Sequence, residues 1–174
     1  MIEVRCFGSV AELRFLRDEI NTLNLAASRP DPFSTFEFFE AFLHHDRPDA
    51  EGQRVHLWFL AAFAANRLVG YLALKQATHR VLGVSASKID FLVAHDADRP
   101  QLIARPADAL AVSEAFYAYL LGRKSDWNFL EFRAQDAASP LFPPPAAARL
   151  GGYAVRQWPG LDNGTIRIRW GTLD

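Results

Sequence analysis

Leu13, Leu16, Ile20 and Leu23 recur at intervals of three and four, the spacing that lines one face of a helix. Ahead of them, Ser9 and Glu12 form an S-x-x-E capping box, in which each side chain satisfies an orphan amide at a helix start. Ile2–Phe7 reads as a short strand before that helix. After the breaker Arg29-Pro30-Asp31-Pro32, a second S-x-x-E at Ser34 and Glu37 is flanked by Phe33 and Phe38, which predicts a capped and stapled helix ending near His44 and His45. Arg54–Ala64 is apolar on both faces, as expected of a central strand covered on both sides. Leu68–Thr78 follows as its antiparallel partner across Ala65-Asn66-Arg67, where asparagine tolerates a left-handed turn. Lys88–Val93 makes a third strand of the group. A polar loop, Ala94–Pro106, then leads to a helix over Ala107–Leu121 that stops at Gly122.

Further on, Asn128–Ala134 sets Phe129, Glu131 and Arg133 against Leu130, Phe132 and Ala134, the alternation of a strand with one wet face. Pro143-Pro144-Pro145 cannot lie inside a regular helix, because each proline lacks an amide donor and clashes with the preceding turn. Only a short helix over Pro145–Leu150 is expected there, ended by Gly151-Gly152. Tyr153–Trp158 and Thr165–Trp170 then read as a hairpin. The order β-α-α-β-β-β-α-β-α-β-β predicts an α/β chain of the α+β kind. Its mixed, largely antiparallel central sheet would carry helices on both faces, as a single domain over residues 1–174.

Composition narrows the function classes. Half the 174 residues are hydrophobic and 22% are charged, with a net charge of -1, so a sizeable core is affordable and the basic excess of a phosphate-backbone binder is absent. No nucleic-acid partner is expected. Cys6 is the single cysteine, which rules out an internal disulfide and suits a reducing compartment. The start, MIEVRCFGSVAEL, lacks a basic segment followed by an apolar run, and no stretch of about 18 uninterrupted apolar residues occurs. The expectation is an unprocessed cytoplasmic chain with no membrane span.

Among candidate chemical groups, Asp90 stands in an apolar strand between Ile89 and Phe91. A carboxylate there is either paired with a lysine or amide, or is raised in pKa and available as a general base. Glu131, Arg133 and Asp136 lie on or just past the next strand, and read either as a surface ion pair or as a substrate-facing group. His79, His95 and the His44-His45 pair show no H-E-x-x-H spacing, so no metal is expected. No G-x-S-x-G elbow supports a serine nucleophile. The four tryptophans fall on separate elements, as core or sheet-cover residues do.

The element order, with "DPFSTFEFFEAFLHH", "NRLVGYLALK", "ASKIDFLVAHD", "DWNFLEFRAQDAASPLF" and "LGGYAVRQWPG" in succession, resembles the GNAT acyltransferase fold. Within it, these segments are similar to the N-terminal half of the CelD type, which is associated with cellulose or exopolysaccharide biosynthesis and related to the FemAB group. The resemblance implies an acyl-CoA-dependent N- or O-acyltransferase, acting on a small-molecule or sugar acceptor in polysaccharide or cell-envelope metabolism. It further implies Glu131 or Asp90 as the catalytic base, Arg133 and Asp136 as acceptor contacts, and backbone amides of the fourth strand as the holders of the thioester oxygen. Active members seat the CoA pyrophosphate on a Q/R-x-x-G-x-G/A turn that opens the following helix, where glycine lets amides approach the anion. Here that place, Ala94–Asp108, has no glycine and offers Arg99 and Arg105 as the phosphate contacts, with Asp108 at the helix start. Proteins of the CelD type carry two such halves. The alternative expectation is therefore a catalytically silent GNAT-like module that dimerises or binds a partner protein through its C-terminal strands.

Overall fold

A computed structural model describes residues 2–45, 56–81, 83–92, 100–135 and 138–142. Strand β1 (Glu3–Phe7) precedes α1 (Val10–Leu13), a 3-10 turn over Arg14–Leu16, and α2 (Arg17–Ala26). The single helix expected from the leucine spacing is thus interrupted by a tighter turn, yet Leu13, Leu16, Ile20 and Leu23 are all buried. Ser9 caps α1 as predicted, accepting from the Glu12 amide. Glu12 reaches back to the Gly8 amide at 3.1 Å, one residue earlier than the standard box.

The second cap differs from expectation. Ser34 donates its hydroxyl to Asp31 Oδ2 at 2.6 Å, so Thr35 takes over and accepts from the Phe38 amide at the start of α3 (Phe36–His45). Glu37 accepts from the side chains of Arg17 and Asn21, tying α3 to α2. The staple forms, with the Phe33 and Phe38 rings edge to face at 5.2 Å.

Strand β2 (His56–Ala64) pairs antiparallel with β1 on one edge and with β3 (Arg67–Val81) on the other, and is buried along nearly its whole length. Ala65 and Asn66 both have positive φ, the signature of a two-residue type I′ hairpin, so Arg67 belongs to the strand. β4 (Val84–Phe91) continues the antiparallel run and begins earlier than its buried apolar stretch suggested, because Val84–Ser87 lie toward solvent and are placed by pairing with the end of β3. β5 (Ile103–Ala104) and α4 (Ala109–Gly122) follow, and β6 (Phe129–Glu131) pairs parallel with β4. The described order across the sheet is β1-β2-β3-β4-β6, with β5 on β3. The segment holding Pro143–Pro145 and the predicted C-terminal hairpin lie outside the described residues.

Alternation assigns the faces. Phe59, Ala61, Phe63, Tyr71 and Leu92 point toward α1–α3, while Leu60, Leu72, Leu74 and Ile89 point toward α4. α4 lies so close to β3 that a Cβ on Gly70 would stand 2.4 Å from Val112 Cγ1 and 3.2 Å from the Ile103 carbonyl. Valine is stiff at χ1, so it cannot swing away freely. Gly70→Ala is expected to cost about 1–3 kcal/mol as overpacking. An unchanged urea midpoint for that variant would show that α4 has room to move.

Candidate functional site

β4 and β6 run side by side through the rungs Lys88–Phe129, Ile89–Leu130 and Asp90–Glu131, where their ladder ends. β4 continues against β3, with the Leu92 amide on the Ala73 carbonyl at 3.0 Å. The two sequence-predicted carboxylates therefore sit opposite each other on the last rung. Ile89 is in the α4-side core, so Asp90 and Lys88, at alternate positions, face the other side of the sheet.

Between the carboxylates lies Lys88. Its ammonium is 2.7 Å from Asp90 Oδ2 and 3.1 Å from Glu131 Oε2, and Arg133 Nε is 2.9 Å from Glu131 Oε1. Asp90 is only 8% exposed, and its Oδ1 has no hydrogen-bond partner. Of the four carboxylate oxygens on this rung, three are bonded and one is buried and open. Asp90, Glu131 and Arg133 are thus brought together, while Arg99 and Asp136 lie outside the described residues. The sequence reading missed Lys88, although Lys88-x-Asp90 is a spacing-two pair that must share a face in a strand.

The charges tune one another. Burial pushes the Glu131 carboxyl up, but hydrogen bonds from Arg133 and Lys88 and their positive charges outweigh it, leaving it below the ordinary carboxylate range. Burial pushes the Lys88 ammonium down, and the bonds to Asp90 and Glu131 overcome that and raise it. A depressed folded-state pKa contributes stability above the unfolded value and loses it as pH falls through the folded one. A raised one contributes below the unfolded value and loses it as pH climbs past the folded one. The stability gap between wild type and Glu131→Gln should therefore be widest near neutral pH and close in acid. Urea unfolding of both proteins from pH 7 to pH 3 checks this, and a gap that persists at pH 3 would assign Glu131 a role other than ion pairing.

Beside the end of β4, Asp31, Ser34, Phe39, Tyr71 and Phe91 help enclose a cavity of about 20 Å³, room for one water-sized group. The Tyr71 hydroxyl donates to the Ser34 carbonyl there. Burial and the nearby Asp31 push its pKa well up, so it serves as a neutral donor rather than a base. Among the described residues no group of three or more histidine, cysteine, aspartate or glutamate side chains could hold a metal. No helix among them is long and apolar enough to cross a membrane.

The strand-to-helix passage is not one long loop. Leu92 is bonded to Ala73 on β3, and Ile103, further along the chain, pairs with Tyr71 on the same strand. The connection into α4 is then the tight turn Arg105–Asp108, closed by the Asp108 amide on the Arg105 carbonyl at 3.0 Å.

No family model matches the chain, and no curated protein matches it. Among solved structures, a ribosomal-protein-alanine N-acetyltransferase from Brucella melitensis biovar Abortus 2308 superposes with a TM-score of 0.50 at 14% identity, over 95% of this chain and 100% of that one. The fold is a GNAT fold. Lower scores relate it to an aminoglycoside acetyltransferase from an uncultured soil metagenomic sample (0.48, 16% identity, 96% and 99% covered) and a GNAT family acetyltransferase from Staphylococcus aureus (0.43, 13%, 93% and 98%). At these identities the likeness concerns the fold alone.

Within a GNAT fold, Arg105–Asp108 occupies the place of the pyrophosphate turn, and its residues do not fit that group. Pro106 has no amide to offer, and Pro106 and Ala107 carry side chains where glycine would let the backbone close on an anion. The Asp108 amide is already bonded, and Asp108, at the N-cap of α4, places its carboxylate at the end of the helix that would otherwise attract a phosphate. Arg105 brings one positive charge to the same turn, which Asp108 offsets.

Proposed function

We propose that this protein is an acyl-group transferase of the GNAT type whose working centre is the Asp90–Glu131 rung, with Asp90 as the base that takes the acceptor's proton. The observation that carries this reading is the open, buried Oδ1 of Asp90 at the point where the β4–β6 ladder ends. A base needs a free oxygen within reach of the acceptor, and both oxygens of Glu131 are bonded to cations. Glu131 is then a positioning residue, which fixes Lys88 and through it Asp90. Arg133 and Asp136 are proposed to line the acceptor side.

The donor implied by the fold is an acyl-CoA, and fold neighbours at low identity are named as acetyltransferases. The misfit at Arg105–Asp108 argues that this chain gains little from the nucleotide end of such a donor, with Arg99 and Arg105 at most weak phosphate contacts. The resemblance of its segments to the CelD type supports a sugar or small-molecule acceptor in polysaccharide or cell-envelope metabolism, in the cytoplasm. Thiol release from acetyl-CoA in the presence of a panel of sugar and amine acceptors tests the reading. Acceptor-dependent release supports it, and a folded protein that releases no thiol with any of them contradicts it.

A second reading, a silent GNAT-like module for dimerisation or partner binding, is favoured by the glycine-free turn itself. The C-terminal strands assigned to that contact lie outside the described residues.

A further inference from the structure

We infer that the open Asp90 oxygen receives a neutral hydroxyl group, so that the acceptor is an alcohol of the sugar or polyol class rather than an ammonium. This rests on the acyl-transfer reading for its biological meaning, but the site itself stands on geometry. Asp90 Oδ1 is fully buried and unpartnered, and a buried carboxylate oxygen left without a donor is costly, so the position calls for a hydrogen-bond donor.

The surroundings decide which donor. Lys88 already lies 2.7 Å from the other oxygen of the same carboxylate, and Glu131 is bonded to both Lys88 and Arg133. Lys75 is the cross-strand partner of Asp90 on β3 and therefore shares its face. Two cations are thus bonded to the two carboxylates, and a third stands on the same face at the Asp90 register position. An ammonium brought to Oδ1 would meet the Lys88 ammonium across a single carboxylate, in a part of the protein where Lys88 and Asp90 have side chains only 12% exposed and water screens little. A hydroxyl donates the same hydrogen bond and brings no charge. Glu131, its side chain 29% exposed, is the carboxylate of the rung that lies nearer solvent.

The test is direct binding, with no acyl donor present. Glucose and glucosamine differ at one carbon by a hydroxyl against an amine, and at pH 6 the amine is charged. Amide chemical-shift titrations of the full chain with each sugar, on wild type and Lys88→Met, read the preference. Wild type should bind glucose at least tenfold more tightly than glucosamine, with shifts centred on Asp90 and Glu131. Lys88→Met removes the nearest cation and should raise the affinity for glucosamine relative to glucose by at least tenfold. Should Lys88→Met fail to fold, Asp90→Ala, which leaves Lys88 paired with Glu131, should lose the glucose shifts on this rung. Preference for glucosamine in the wild type, an unchanged ratio in Lys88→Met, or no shift with either sugar would overturn the inference, the last showing that Oδ1 holds water only. Thiol release from acetyl-CoA separates this from the acyl-transfer reading. Turnover without glucose binding sinks the hydroxyl site alone, and glucose binding without turnover sinks the transferase alone.

Discussion

Asp90→Asn is expected to slow acyl transfer by about 10²–10⁴-fold, the usual range for loss of a positioned general base, while Glu131→Gln slows it by about tenfold or less. The asymmetry follows from the bonding. Both oxygens of Glu131 accept from cations and its carboxyl is held below the ordinary range, which makes it a weak proton acceptor. Asp90 keeps one oxygen unbonded at the end of the β4–β6 ladder. Asparagine preserves the shape of that side chain but removes its basicity and its ion pair with Lys88, so the urea midpoint should fall while the variant still folds, and a large loss of rate in that folded variant would place the base at Asp90. The reverse order, with Glu131→Gln the damaging variant, would move the base to Glu131 and leave Asp90 as its support.

The largest expected effect on stability is at Phe116. This ring is fully buried on α4 and shares a core with Leu72, Ile89 and Val112. Phe116→Ala removes a whole ring from between helix and sheet, and such truncations typically cost about 3–5 kcal/mol, from lost transfer energy plus the cavity left behind. The consequence extends to the site, because α4 is the connection that carries the chain from β5 to β6 and so sets Glu131 opposite Asp90. Urea unfolding should show the loss in full. A change below about 1 kcal/mol would mean that α4 collapses onto the sheet and fills the space.

How much of this was legible in the sequence depended on how local the cause was. Ser9 and Glu12 announce their helix because a cap is settled within a few residues. The double-sided apolar run of β2 announced a central strand, since both its faces are covered. Ser34 misled because its hydroxyl is claimed by Asp31, a competition that the S-x-x-E pattern does not encode. β5 was hidden: Ile103 and Ala104 are too few to show any period, and their assignment comes wholly from pairing with β3. That hidden strand changed the phosphate question from a long loop to the turn Arg105–Asp108. Asp90 and Glu131 could be singled out one at a time, but their meeting across a parallel pair, with Lys88 between, required the register.

The most direct test of the whole account compares two donors that share an acyl-pantetheine arm, acetyl-CoA and S-acetylpantetheine, in thiol release with one acceptor. If the Asp90 rung does the chemistry and the Arg105–Asp108 turn does not cradle pyrophosphate, both are consumed with KM values within about threefold, since removing the nucleotide removes no contact worth more than a fraction of the ~1.4 kcal/mol that a tenfold change represents. A KM for acetyl-CoA a hundredfold lower would show that the glycine-free turn holds the nucleotide after all, and consumption of neither would end the acyl-transfer account.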